Sequence, residues 1–335
     1  MKAIAFFNNK GGVGKTTLLC NIASYLQNFK KLKILIVDAD PQCNATSYLL
    51  SEKQLEDIYE NKKYSTIDSF VEPLRKGKGY FTENFQLIKS PRFDIDIIPG
   101  SPSLALAEDL LASDWKAAQS GDGRGLQTSF IFKEIVLRYS QYDYIFFDVG
   151  PSLGAINRAV LLACDFFLVP MSSDIFSLMA ISNISLSLEN WKKTIQKGLI
   201  EYEAIEHEPF LIKNRSTSWN LKFAGYVTQQ YTAKTVRNVK RAVNAYDRII
   251  RRIPSAMQRL LIAKHANPKA TFSYELGSIP NLHSLVPLSQ SSHVPIFSLK
   301  ASDGVVGAHF AKVKIAEKII GGIANALIKN IGGLK

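Results

Sequence analysis

Asn9-Lys10-Gly11-Gly12-Val13-Gly14-Lys15-Thr16-Thr17 stands between an apolar segment, Ala3 to Phe7, and an amphipathic one, Leu18 to Phe29. The first reads as a buried strand and the second as a helix. A glycine-rich turn from strand to helix exposes backbone N–H groups and aims the positive helix end at one point, where polyphosphate binds. Gly11, Gly12 and Gly14 let backbone approach phosphate where a Cβ would obstruct, and Val13 shares the turn. Lys15 reaches the β- and γ-phosphates, and the Thr16 hydroxyl suits Mg²⁺. Thr17, in the first helical turn, faces the α-phosphate. The usual pattern has a glycine where this chain has Asn9, and a second lysine, Lys10, precedes the glycines.

Three further blocks follow in order. Ile34 to Asp38 is a strand-like run ending in Asp38-Ala39-Asp40-Pro41-Gln42. Tyr142-Asp143-Tyr144-Ile145-Phe146-Phe147-Asp148 is an apolar strand closed by an acid. Phe167-Leu168-Val169-Pro170 is followed by Asp174-Ile175-Phe176-Ser177-Leu178. Together with the glycine run, these resemble the deviant P-loop ATPases of the ParA/MinD family, ParA/Soj most closely. Residues 1–50 and 142–190 carry the resemblance strongly, and the rest weakly or not at all. It implies ATP and Mg²⁺ as cofactors, slow ATP hydrolysis, and an ATP-dependent homodimer in which Lys10 reaches the nucleotide of the other subunit. Lys10, Lys15 and Asp40 are then the catalytic set, with Asp40 positioning or activating the attacking water. Asp148, at the carboxyl end of its strand, holds Mg²⁺ with Thr16, and Asp38 is a further partner near the metal. Asp40 before Pro41 also reads as a turn-former. Val149-Gly150-Pro151-Ser152 departs from the family, which has Pro where this chain has Gly150. For the base, Gln229 and Pro280, in Ile279-Pro280-Asn281, are the candidates the resemblance offers, against plain surface turns.

The spacing of apolar runs predicts an α/β fold: a mostly parallel twisted sheet with helices on both faces, in one enlarged domain over residues 1–335. Strands are expected at Ala3–Phe7, Lys33–Val37, Phe85–Ile88, Ile95–Ile98, Tyr144–Asp148, Phe166–Val169, Phe223–Val227 and Tyr274–Ile279. Helices are expected at Lys15–Phe29, Leu104–Leu111, Thr128–Tyr139, Leu153–Ala163, Phe176–Lys193, Val236–Ile253 and Val305–Ile331. Polar stretches at about 51–80, 113–125 and 196–220 read as surface insertions. With the first strand so near Met1, no operator-binding segment is expected ahead of it.

Hydrophobic residues make up 46% of the 335, ordinary for a globular protein. No apolar run approaches the roughly 20 residues that span a bilayer, and the start lacks a signal peptide's cleavage pattern. Cys20, Cys43 and Cys164 have no paired spacing, which disfavours disulfides, a cysteine zinc site and a cysteine-bound cluster; they read as small buried residues. His207, His265, His283, His293 and His309 lie in no ligand spacing. A cytoplasmic, nucleoid-associated protein is expected.

Net charge is +12, and it is uneven. Between Lys234 and Lys264 there are nine Lys or Arg and one acid, Asp247. On a helix, Arg237, Arg241, Arg248 and Arg252 share one arc and Val236, Val239, Val243, Tyr246, Ile250 and Ile253 the other. The arginine face suits nonspecific DNA binding to phosphates, or is simply solvated. The apolar stripe Val313, Ala316, Ile319, Ile320, Ile323, Leu327 and Ile331 reads as a helix packed on the sheet, with a membrane-binding tail as the alternative. The expected function is ParA-type partition of DNA or positioning of cargo, with a centromere-binding or cargo adaptor as partner. The alternatives are a MinD-like membrane regulator, a regulatory or defence ATPase, and a metabolic P-loop enzyme.

Overall fold

A computed structural model of the chain describes residues 1–172, 174–229, 249, 251–282 and 284–334. Its centre is an eight-stranded sheet of order β10-β9-β6-β1-β5-β2-β4-β3. The strands are β1 (Lys2–Phe6), β2 (Ile34–Asp38), β3 (Ile88–Ser90), β4 (Ile95–Ile98), β5 (Tyr144–Asp148), β6 (Phe166–Ser172), β9 (Lys222–Gln229) and β10 (Glu275–Ile279). All neighbours pair in parallel except β3 with β4. The short pair β7 (Leu211–Ile212) and β8 (Arg215–Ser216) forms a separate hairpin. Strands buried on both faces explain why β1, β2, β5 and β6 read as unbroken apolar runs rather than alternating ones.

Register places the chemistry. Phe6, the last residue of β1, lies beside Asp148, and Asp148 lies beside Asp38. The glycine run and both aspartates therefore leave the sheet at one carboxyl edge, where ligands bind in open α/β sheets.

Around the sheet lie α1 (Lys15–Lys30), α2 (Asn44–Leu49), α3 (Glu52–Tyr59), α4 (Asp68–Arg75), α5 (Glu108–Ala118), α6 (Gly123–Ser129), α7 (Ile131–Arg138), α8 (Ala155–Ala163) and α9 (Ile175–Glu206). They are followed by α10 (Ile253–Met257), α11 (Ala263–His265), α12 (Leu285–Ser291) and α13 (His309–Gly333). The three stretches expected as surface insertions carry regular structure. Residues 51–80 carry α3 and α4, and Ile58, Ile67, Phe70, Val71 and Leu74 are core. Their abundant charges face outward and conceal an apolar minority at helical spacing. Residues 113–125 are largely the end of α5 and the start of α6, not an open loop. Asp122 caps α6 by accepting from Gly125 N at 2.7 Å. A Cβ on Gly125 would sit 2.5 Å from Ala118 N, so this glycine serves close backbone crossing rather than loop freedom. In residues 196–220, α9 continues to Glu206 before the hairpin. Gly198 of α9 likewise meets the Ala118 carbonyl.

Gly125→Ala should destabilise the fold by about 1–2 kcal/mol. Overpacking costs ~1–3 kcal/mol, and the gain in helix propensity returns up to ~1 kcal/mol. Urea unfolding checks this, and an unchanged midpoint would mean that the α5–α6 crossing yields freely.

The apolar stripe of α13 is covered, as expected. Val313, Ala316, Ile320, Ile323, Leu327 and Ile331 are buried, while Ile319 is half-buried. Gly321 lies where Tyr25 of α1 crosses, for a Cβ there would be 2.5 Å from the phenol oxygen. Among the described residues no helix is long and apolar enough to cross a membrane. Pro254 stands in the first turn of α10, where a missing N–H costs no hydrogen bond. All three cysteines are buried and unbridged. The helix expected over Val236–Ile253 lies almost wholly outside the described residues, with Arg237, Arg241 and Arg248; Arg252 is exposed in a turn.

Candidate functional site

The turn after β1 is held before any ligand arrives. Asn8 Nδ2 donates to Pro170 O at 2.6 Å, and Asn8 Oδ1 accepts from Lys10 N at 3.0 Å. Gly12 and Gly14 have φ of 72° and 66°, which a side chain would strain. Gly14 begins α1 with no side-chain cap. The first N–H groups of α1 thus face an open cavity, and an anion is their natural partner.

That cavity, of about 820 Å³, is lined by Gly11 to Thr17 and by Asp40, Gln42, Asn44, Ser47, Tyr48, Glu52, Pro151, Gln290 and His293 among others. Lys15 is buried, and burial lowers its pKa, opposed by the charges of Asp148 and Asp40. Thr16 Oγ1 donates to Asp148 Oδ2 at 2.6 Å. Asp148 Oδ1 is buried with no hydrogen-bond partner. Burial raises the Asp148 pKa, with Thr16 and Lys15 opposing and Asp40 adding to the rise. A buried carboxylate with a free oxygen beside a hydroxyl fits a small, hard divalent cation. Among the described residues no group of three or more His, Cys, Asp or Glu could hold a metal. The Thr16 hydroxyl and the Asp148 carboxylate suit Mg²⁺, which takes few protein ligands and completes its shell with phosphate and water. Thr16 and Asp148 would hold it, and it would neutralise charge on a bound polyphosphate.

Asp38 is adjacent but turned aside. Its Oδ2 accepts from Thr46 N at 2.8 Å and Thr46 Oγ1 at 2.6 Å, and its Oδ1 from Asp40 N at 3.3 Å. It holds the start of α2 and the Asp40 loop together. Burial first, and the Asp148 charge second, raise its pKa. Asp40 is buried and lines the cavity. Its Oδ1 accepts from Gln42 N at 3.0 Å, so the turn role and the site role coexist. The unusual Gly150 packs here, since a Cβ on it would lie 3.2 Å from Asp40 Oδ1. Asn157 Nδ2 fastens the same loop by donating to Gly150 O and Ser152 O at 2.7 and 2.8 Å.

Lys10 does not line the cavity. Its amine pairs with Asp174 of the same chain, and Asp174 also caps α9 through Ser177 N at 3.1 Å. Gly12, Gly14 and Thr17 also line a second, mainly apolar cavity of about 330 Å³. It contains both Gln229 and Pro280, together with Leu18, Asn281, Ile319 and Ile320. The sequence reading missed that α13 supplies a wall here. It also missed Asn21, whose amide donates to Tyr48 Oη at 3.0 Å while its Oδ1 accepts from Ile296 N at 2.8 Å. A polar residue on the buried face of α1 was the available signal.

A mostly parallel sheet with an uncapped glycine turn, buried lysine and Thr–Asp pair at its carboxyl edge defines a P-loop NTPase. A protein-family model described as an AAA domain matches residues 1–200. The Soj sporulation inhibitor of Bacillus subtilis is 29% identical over 71% of this chain and 83% of its own. A virulence-plasmid ParA family protein of Chlamydia psittaci is 32% identical over 55% of this chain, which spans 62% of that relative. Protein DIP2308 of Corynebacterium diphtheriae superposes with a TM-score of 0.70 at 28% identity over 99% of both chains. A Borrelia burgdorferi plasmid partition protein bound to AMPPNP superposes with a TM-score of 0.56 at 19% identity over 98% of both, which bears on the fold alone. The chain belongs to the ParA/MinD family of P-loop ATPases, on the ParA/Soj side.

Proposed function

We propose that this chain is an ATP-dependent dimerising switch that hydrolyses ATP slowly and acts in ParA-type DNA partition or cargo positioning. The observation that carries the reading is the Thr16–Asp148 pair, with its orphaned oxygen, at the open end of α1 beside Lys15. Phosphates would lie on the glycine turn and Lys15, and the base would enter the apolar cavity beside Gln229 and Pro280. Charge stabilisation dominates phosphoryl transfer, so this constellation needs no covalent step. Asp40 would orient the attacking water from the cavity wall.

Lys10 supports the dimer. Its side chain lies outside its own phosphate cavity, and its bond to Asp174 can be exchanged for phosphate across a two-fold interface. ADP would favour the monomer.

The arginine-rich stretch Arg237, Arg241, Arg248 and Arg252 would bind duplex DNA without sequence preference. The net charge of +12 favours such a partner. Two stripes in an ATP dimer engage more phosphates than one, so ADP should weaken binding. Affinity should fall steeply with salt, because each neutralised phosphate releases roughly 0.9 of a counterion. Replacing the four arginines by alanine should flatten the salt slope and leave ATP turnover unchanged. Wild-type DNA binding by that variant across a salt series would reduce the stripe to a solvated surface. ATP-dependent recruitment to anionic liposomes would instead favour a membrane regulator, a role the buried stripe of α13 does not support.

A further inference from the structure

We infer that α3 is a positioning element for hydrolysis, with Tyr59 as its positioning residue; this rests on the ATPase reading above. The two ends of α3 touch different parts of the site. At its start, Glu52 and Leu55 line the phosphate cavity. At its end, the Tyr59 hydroxyl donates to Gly100 O at 2.9 Å, although the residue itself is exposed.

From there a continuous chain of hydrogen bonds leads inward. Gly100 N donates to Thr46 Oγ1 at 2.8 Å. Thr46 Oγ1 donates to Asp38 Oδ2 at 2.6 Å, and Asp40 N donates to Asp38 Oδ1 at 3.3 Å. The contact is built close. A Cβ on Gly100 would lie 3.0 Å from Asp38 Cγ and Oδ2 and 3.1 Å from Cys43 Sγ. A side chain at this position would make the Asp38 carboxylate or the Cys43 thiol give by a few tenths of an ångström, so glycine lets the backbone seat against the carboxylate while its carbonyl receives Tyr59.

Tyr59 does not reach the reacting atoms. It sets the loop that carries Asp40, through Gly100, Thr46 and Asp38. Ser51 and Gln54 close a capping box at the start of α3, so the helix is fixed at both ends. Hydrolysis depends on where a water is held relative to phosphorus, and small misplacements of the orienting group cost large factors in rate. Ground-state binding rests on the glycine turn and Lys15, which this chain of bonds does not touch. The signature is therefore a split between turnover and affinity.

Tyr59→Phe keeps the ring and removes the hydroxyl. In the full-length protein it should lower kcat about tenfold and leave the ATP Kd within twofold, by single-turnover hydrolysis and calorimetric titration. Gly100→Ala, which presses on Asp38 directly, should show the same split and guards against an accident of one variant. Normal kcat in Tyr59→Phe, alongside an inactive Asp40→Ala, would overturn the positioning role and leave the ATPase reading intact. Parallel losses of kcat and affinity in both variants would also overturn it, since that pattern marks a merely structural helix. Wild-type turnover in Asp40→Ala would instead remove the reading on which the inference rests.

Discussion

Lys15→Ala should weaken ATP binding at least a hundredfold, to the point where titration with a fluorescent nucleotide shows no saturation. Lys15 lines the cavity together with Asp40, and it feels the charges of both Asp40 and the buried Asp148. Without it, a polyphosphate would enter against these acids with no lysine of its own chain in the cavity to offset them, since Lys10 lies outside it. A hundredfold loss corresponds to about 2.7 kcal/mol, within the range for removing one partner of a desolvated charge pair. The effect belongs to the ground state, so it should appear in Kd and not only in turnover. Burial already disfavours the lysine's charge, so its removal should leave the fold formed, as circular dichroism would check. Saturable binding of wild-type strength in this variant would separate the glycine turn from nucleotide recognition.

The parts of this site that were legible in the sequence are those held by local chemistry. A glycine turn between strand and helix must be written contiguously, and so must a strand that ends in an acid. Gly11 to Thr17 and Asp148 therefore stood out, as did the parallel sheet. The covering of the α13 stripe followed from its periodicity. What escaped was long-range. Tyr59 meets Gly100 through a tertiary contact that leaves no periodic trace, and Asn21, which meets Ile296, showed only as a polar residue on the buried face of α1. Residues 51–80 read as surface because charge outnumbers the few core positions, Phe70, Val71 and Leu74 among them. Gly121-Asp122-Gly123-Arg124-Gly125 read as part of a surface insertion because glycine has two uses, backbone freedom and close crossing. Gly121 does adopt a positive φ of 79°, while Gly125 serves the crossing. Pattern alone cannot separate them.

Asp40→Ala should bind ATP within about threefold of wild type, lose turnover by at least a hundredfold, and persist as a dimer in ATP and Mg²⁺. The side chain is buried on the cavity wall, and Gly150 leaves it room on the side of the loop after β5. Its charge opposes polyphosphate in the ground state, so binding gains nothing from it. On the proposed reading its value lies in orienting a water when that water attacks, and such an interaction lowers kcat when removed. The variant that cannot hydrolyse cannot leave the ATP state, so light scattering should show a stable dimer where wild type reverts with time. One rival account is that Asp40 only makes the turn through Gln42 N. Asp40→Asn separates the two, because the amide oxygen still accepts that bond while the charge is gone. Turnover lost in both Ala and Asn assigns the role to the carboxylate; turnover retained in Asn assigns it to the turn. Equal hydrolysis by wild type and Asp40→Ala would take the residue out of the reaction altogether, and a monomer of this variant in saturating ATP and Mg²⁺ would count against the nucleotide-bridged dimer.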